Sequence, residues 1–204
     1  MSHADHPRPT LHVVDILPAS PDVWPALAEL FSAGGDPRWC WCQYWRKPGS
    51  NWSNTTPDAN RADLEALIRA GDPAPGLVAL RAGKAVGWVG LGPREAFPRS
   101  ERSRTLPRLP GEDVWSINCF VVARTARRGG VAKALLAAAV EYAAAHGAQL
   151  VEGYPVATGG SRIQSASVYT GTASMFEASG FEVAAASTSK AASGALRVVM
   201  RRRA

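Results

Sequence analysis

The sequence predicts an α/β domain: a mixed β-sheet with helices packed on both faces. Three observations lead there. Apolar runs of strand length, 77–80, 85–91 and 114–122, are interleaved with helix-length stretches that open on Ser/Thr-Pro-Asp and close on glycine. The resulting order, β-αα-βββ-α-β-α-ββ, places a helix between strands 114–122 and 150–156, which calls for a right-handed βαβ unit. Finally, 204 residues, 46% apolar and 20% charged, suffice for one substantial core and fall short of two full domains.

Residues 1–10 carry Pro7 and Pro9 without apolar periodicity and read as a disordered extension, with a single domain spanning 11–204. Leu11 to Leu17 is a short strand. Ser20-Pro21-Asp22 offers an N-cap, a first-turn proline and a dipole-matching acid to a helix that stops near Gly34-Gly35, with Pro25 able to move its start. Thr56-Pro57-Asp58 opens a second helix bearing Leu64, Leu67 and Ile68 and ending at Gly71. Arg81-Ala82-Gly83-Lys84 is the tight turn of a hairpin. Residues 92–112, rich in Pro and Arg, form a long connection of the kind that is often functional or mobile. Ala132 to Ala145 is an alanine-rich helix closed by Gly147, Thr172 to Ser179 a short helix stopped by Gly180, and 181–185 with 195–200 a last hairpin.

Composition narrows the function. No run approaches the roughly 20 apolar residues of a membrane span, and the N-terminus has no signal-peptide core, so a cytoplasmic protein is expected. Cys40, Cys42 and Cys119 cannot all pair and read as reduced. A surplus of 23 Lys+Arg over 17 Asp+Glu, +6, favours an anionic partner. The basic residues are scattered rather than gathered in a stripe with interleaved aromatics, which argues against nucleic acid and leaves a phosphorylated small molecule. Arg201, Arg202 and Arg203 read as a solvated tail.

The most informative segment runs from Ile117 through Arg127-Arg128-Gly129-Gly130-Val131-Ala132 to Leu136. A strand ends at Val122, a basic glycine-bearing turn follows, and a helix begins near Gly130. Unpaired N–H groups and partial positive charge at a helix start suit phosphate oxygens, and Gly129 and Gly130 let a ligand approach the backbone. The turn is neither a Walker loop nor the dinucleotide Gly-x-Gly-x-x-Gly. By itself it also fits a plain loop before a helix.

Here the chain resembles the GNAT superfamily of acetyl-CoA-dependent N-acetyltransferases. Arg127-Arg128-Gly129-Gly130-Val131-Ala132 matches that family's Arg/Gln-x-x-Gly-x-Gly/Ala, Val122 stands where its strand ends, and Met175-Phe176-Glu177-Ala178-Ser179-Gly180-Phe181 is similar to its Gly-Phe helix. The resemblance implies a three-layer αβα fold with a mixed, mostly antiparallel sheet, acetyl-CoA as co-substrate, and an amine acceptor. It also allows a homodimer. Backbone N–H groups of Arg128 to Ala132 should hold the diphosphate, with the Arg127 and Arg128 side chains near phosphates. The splayed strand at Phe120, Val121 and Val122 should pair with the pantetheine amides, and the N–H of Val122 or its neighbour should polarise the acetyl carbonyl.

Two departures matter. The family's usual acid, a tyrosine before Gly-Phe, is here Phe176, which has no proton to give; a non-catalytic acyl-CoA-binding module is therefore a second reading. Tyr169, where relatives often carry asparagine near the pantetheine, becomes the candidate acid, or a residue that packs or binds CoA. Candidate bases are Glu152, Asp113 and Glu95, with Asn118 able to hold a water. Glu152 and Tyr154 share one face of their strand; the plainer reading of Glu152 is an edge acid in solvent. Four of seven tryptophans, Trp39, Trp41, Trp45 and Trp52, crowd the loop 36–55, either as an acceptor pocket or as a cluster pinning the loop. Cys40 and Cys42 lack histidines at ligand spacing, so no metal is expected. Cys119 reads as a core thiol.

Overall fold

The computed structural model describes residues 14–159 and 165–204; the expected extension over 1–10 and the first residues of the strand over 11–17 lie outside them. Among the described residues one sheet runs β1-β2-β3-β4-β5-β7-β6, with β1 Asp15–Pro18, β2 Gly76–Arg81, β3 Lys84–Pro93, β4 Val114–Val122, β5 Leu150–Gly153, β6 Glu182–Lys190 and β7 Leu196–Arg203. Only β4 and β5 are parallel. The helices are α1 (Trp24–Ser32), α2 (Asp36–Cys40), α3 (Gly49–Trp52), α4 (Pro57–Arg69), α5 (Pro98–Glu101), α6 (Val131–Ala145) and α7 (Ala173–Glu177). The α6 and α7 layer packs on one face of the sheet and the α1 and α4 layer on the other. This is the mixed, mostly antiparallel three-layer arrangement expected.

Local chemistry explains most boundaries. Thr56 Oγ1 accepts the Ala59 N–H at 3.2 Å and Pro57 occupies the first turn of α4, whose Leu64 and Ile68 are buried. The hairpin turn holds Ala82 and Gly83 at φ 48° and 74°, the twist a two-residue connection needs. The inner face of α6 comprises Val131, Leu135, Leu136, Ala139, Val140 and Ala143. It sits so close to β3 that a Cβ on Gly87 would lie 2.6 Å from Val131 Cγ1.

Several boundaries differ from expectation: short helices α2 and α3 lie in the loop 36–55 and α5 in the connection 92–112, and β6 runs past 185 to Lys190. Helix α1 begins at Trp24: the Ser20 carbonyl accepts the N–H groups of Val23 and Trp24 in a preceding turn, and Pro25 takes the first-turn position where no N–H is needed. Strand β5 stops at Gly153, because Pro155 cannot continue the ladder and Val156 keeps only isolated bridges to Thr172 and Arg197. Arg201, Arg202 and Arg203 are not a solvated tail. They complete β7 opposite Leu150 to Glu152, and Arg201 forms a buried ion pair with Glu152.

At the far end of α6, His146 Nε2 meets Asp72 Oδ1 at 2.8 Å and Nδ1 meets the Tyr142 carbonyl at 2.7 Å. The carbonyl first, then Asp72, raise the imidazole pKa above the usual histidine value. A raised folded-state value means the contribution is full below about pH 6.5 and fades as pH rises through the folded value. With Asp72 80% exposed, its size is a few tenths of a kcal/mol. His146→Gln is expected to flatten the dependence of Tm on pH between about 6 and 8; an unchanged slope in thermal melts removes this assignment.

Candidate active site

The site starts where β4 meets α6. After a short 3-10 turn at Arg124–Ala126, Arg128 and Gly130 adopt φ 62° and 78°, turning the chain into the helix without a side-chain cap. The first bond into α6 runs from the Ala134 N–H to the Gly130 carbonyl at 3.0 Å, which leaves the N–H groups of Val131, Ala132 and Lys133 without helical partners. Arg127, Arg128, Gly129 and Gly130 are all exposed around them. Arg127 Nε donates to the Val122 carbonyl at 3.3 Å, tying the turn to the strand end. An anion meeting this entrance finds backbone donors and two guanidinium groups.

Beside it the sheet parts. β5 accompanies β4 only from Val114 to Ile117, whereas β4 runs on to Val122 against β3 alone. Leu91 pairs with Ile117 and Gly90 with Cys119, so Asn118 is the extra residue of a β-bulge at the parting. Asn118 is 1% exposed, and neither of its amide atoms has a hydrogen-bond partner; nearby in sequence to Tyr169, the buried Thr170 Oγ1 also lacks one. Buried amides are normally satisfied, so this edge is short of partners. One group is occupied: the Phe120 N–H donates to the Tyr169 carbonyl at 2.6 Å. By strand alternation the Val122 peptide faces the same open edge.

On the α1 and α4 side, the end of β4 forms the floor of a cavity of about 370 Å³ lined by Asp36, Pro37, Trp39, Cys40, Cys42, Tyr44, Trp45, Trp52, Cys119, Phe120, Val121 and Tyr169. The tryptophan-rich loop builds it. Trp41 and Cys42 are both left-handed, φ 44° and 53°, and this reversal sends Trp41 into the core, stacked on Phe31 at 5.3 Å, while Trp39, Trp45 and Trp52 face the cavity. Trp41 thus pins the loop to the core, while Trp39, Trp45 and Trp52 line a cavity. Trp88 Nε1 donates to Cys42 Sγ at 3.1 Å, and Arg46 reaches the Pro75 and Leu91 carbonyls, each at 3.0 Å, fastening the loop to β2 and β3. Burial pushes the Cys40 thiol up to about 12, and burial with the adjacent Cys119 raises the Cys42 thiol well above the usual thiol value, so both remain neutral. Burial likewise raises the Tyr169 phenol, against the opposing pull of Arg197.

The other candidates sit elsewhere. Glu152 is 1% exposed and does not line the cavity. One oxygen accepts from Tyr154 at 2.5 Å and the other from Arg201 Nε at 2.6 Å. It is therefore neither an edge acid in solvent nor a free base. Glu95 and Asp113 line a separate cleft with Trp115 and His146. Phe176 is fully buried against Gly153, Phe120 and Phe181. The carboxylate that does reach the cavity, Asp36, escapes sequence reasoning because Gly34-Gly35 reads as the end of one helix rather than the approach to another.

A glycine-bearing helix entrance, strands that part beside it and a cavity at the parting define a CoA-dependent acyltransferase fold. The profile of the acetyltransferase (GNAT) family matches residues 37–159, and the chain belongs to that family. Among curated protein sequences none matches it. Its fold is similar to that of a GCN5-related N-acetyltransferase from Kribbella flavida, 20% identical with TM-score 0.54, covering 94% of this chain and 98% of that one. It is also similar to PaiA N-acetyltransferase from Thermoplasma acidophilum in complex with coenzyme A, 13% identical with TM-score 0.55, covering 94% and 99%. A third is ribosomal-protein-alanine N-acetyltransferase from Brucella melitensis, 20% identical with TM-score 0.54, covering 93% and 99%. No helix among the described residues is long and apolar enough to cross a membrane.

Proposed function

We propose that the protein transfers an acetyl group from acetyl-CoA to a primary amine by direct attack in a ternary complex. The observation that carries this reading is the helix entrance with unpaired N–H groups beside strands that part, with a cavity floored by the end of the same strand β4. Acetyl-CoA supplies the activated thioester. The Gly129 N–H already serves the Ala126 carbonyl at 3.3 Å, so of the expected donors those of Arg128, Gly130, Val131 and Ala132 would hold the acetyl-CoA diphosphate, with Arg127 and Arg128 beside it. The unpartnered amide of Asn118 fits a diamide arm along Phe120, Val121 and Val122. Because the Phe120 N–H already serves Tyr169, the Val122 N–H is the donor free to polarise the acetyl carbonyl. The amine nitrogen forms its bond to the acyl carbon, the carbon–sulfur bond breaks, and the proton shed by nitrogen leaves to solvent or a carboxylate.

Tyr169 lines the cavity and keeps its phenolic proton, so we assign it the hydrogen bond to the departing thiolate. Glu152 we read as a structural charge that joins β5 to β7. The free thiols fit a reducing compartment such as the cytoplasm. Tyr169→Phe is expected to lower kcat by about 100-fold with little change in acetyl-CoA Kd; an unaltered rate returns Tyr169 to packing. The non-catalytic reading, favoured by the buried Phe176, predicts acetyl-CoA binding without CoA release. Thiol release measured over a panel of amines, beside calorimetric binding of acetyl-CoA, separates the two.

A further inference from the structure

Resting on the acetyl-transfer reading, we propose that the acceptor is a primary amine on a flat aromatic body, an arylalkylamine, which enters the cavity amine-first past Asp36 and Trp39. The walls are rings set edge to face: Trp39 on Trp52 at 4.9 Å and 67°, Tyr44 on Trp52 at 5.1 Å and 89°, Tyr44 on Trp45 at 5.1 Å and 86°. Such a box presents both faces and edges to an inserted ring. At about 370 Å³ it lies at the small end of ligand sites and suits a compact molecule rather than a chain terminus that needs an open groove.

Charge grades along it. Asp36 is the one carboxylate among the lining residues, is exposed, and shares a face of α2 with Cys40 one turn on. Trp39 beside it is 42% exposed. This pair forms the mouth, where a carboxylate and an indole attract an ammonium group. The floor is different. Cys42, Cys119 and Phe120 are 7%, 6% and 8% exposed, so an ammonium group that advances leaves water and must give up its proton, and Asp36 stands where that proton can go. The neutral amine then reaches the end of β4.

Other amine classes meet obstacles. Arg99 lies over Tyr44 at 4.1 Å and Trp52 at 5.7 Å, and Arg197 over Tyr169 at 5.6 Å and Trp45 at 6.0 Å, neither lining the cavity. Neither forms an ion pair with a carboxylate among the described residues. With these rings already facing guanidinium groups, a second ammonium inside the box is repelled, which disfavours diamines. An amino acid would have to bring its carboxylate past Asp36.

The test compares 2-phenylethylamine, 1,4-diaminobutane and a short peptide with a free N-terminal alanine in steady-state acetyl transfer, with acetyl-CoA binding measured separately by calorimetry. kcat/KM for 2-phenylethylamine is expected to exceed the others by about tenfold or more. Trp39→Ala should raise its KM by about five- to tenfold, leaving kcat and acetyl-CoA Kd near wild type, whereas Asp36→Asn should raise its KM by a similar factor and also lower kcat, with acetyl-CoA Kd near wild type. Equal or faster turnover of the diamine or the peptide overturns the inference while acetyl transfer stands, as does an unchanged KM in both variants. Failure of the wild-type protein to bind acetyl-CoA overturns the underlying reading and the inference with it.

Discussion

Gly130→Leu is expected to abolish acetyl-CoA binding, with Kd weakened at least about 100-fold, while the protein stays folded. Gly130 stands at φ 78° immediately before the first helical residue, at the centre of the exposed N–H groups. A leucine there must take a left-handed backbone and projects a side chain into the space a diphosphate would use. The strain is about 1–2 kcal/mol, a loss of roughly 5 °C in Tm for a chain of this size. Gly147, at the other end of α6 with φ +83° and nothing within 4 Å of an added Cβ, provides the control. Gly147→Leu should carry similar strain and leave Kd unaltered. Calorimetric titration in which Gly130→Leu binds within about threefold of wild type would remove the main support for the site.

Arg201→Met is expected to lower Tm by roughly 10 °C. Its partner Glu152 has a side chain only 2% exposed, so deleting the guanidinium strands a buried carboxylate with Tyr154 alone. Breaking a buried pair from one side costs about 3–5 kcal/mol, and about 2–4 °C per kcal/mol applies at this length. Arg201 also donates to the Pro110 carbonyl at 2.6 Å and the Leu109 carbonyl at 3.1 Å, holding the long 92–112 connection against β7. Removing both charges, Glu152→Met with Arg201→Met, should recover most of the loss. A drop below about 2 °C in the single variant would mean that the pair holds nothing together.

Signals that act over a few residues were readable in advance. Thr56-Pro57 caps α4, Ala82-Gly83 turns the β2–β3 hairpin, and the arginine and glycine turn opens α6, because each depends on its own backbone chemistry. What depended on partners far along the chain was not. Arg201, Arg202 and Arg203 look like a tail until Glu152 supplies a buried counter-charge, and Glu152 looks like a base until Arg201 takes it. Ser187 to Lys190 extend β6 with polar residues that carry no strand signal, held instead by Ser187 and Thr188 bonds to the Thr105 carbonyl. Asp36 was hidden for the same reason: only the fold of the tryptophan-rich loop brings it to β4.

The bond from Phe120 to the Tyr169 carbonyl has a consequence for the empty enzyme. Strands that separate to admit a ligand leave a bare ladder, and a bare ladder is a template on which a second molecule can add its own strand and begin to aggregate. With the chain at Tyr169 laid against that rim, the enzyme screens part of it from its neighbours until cargo arrives.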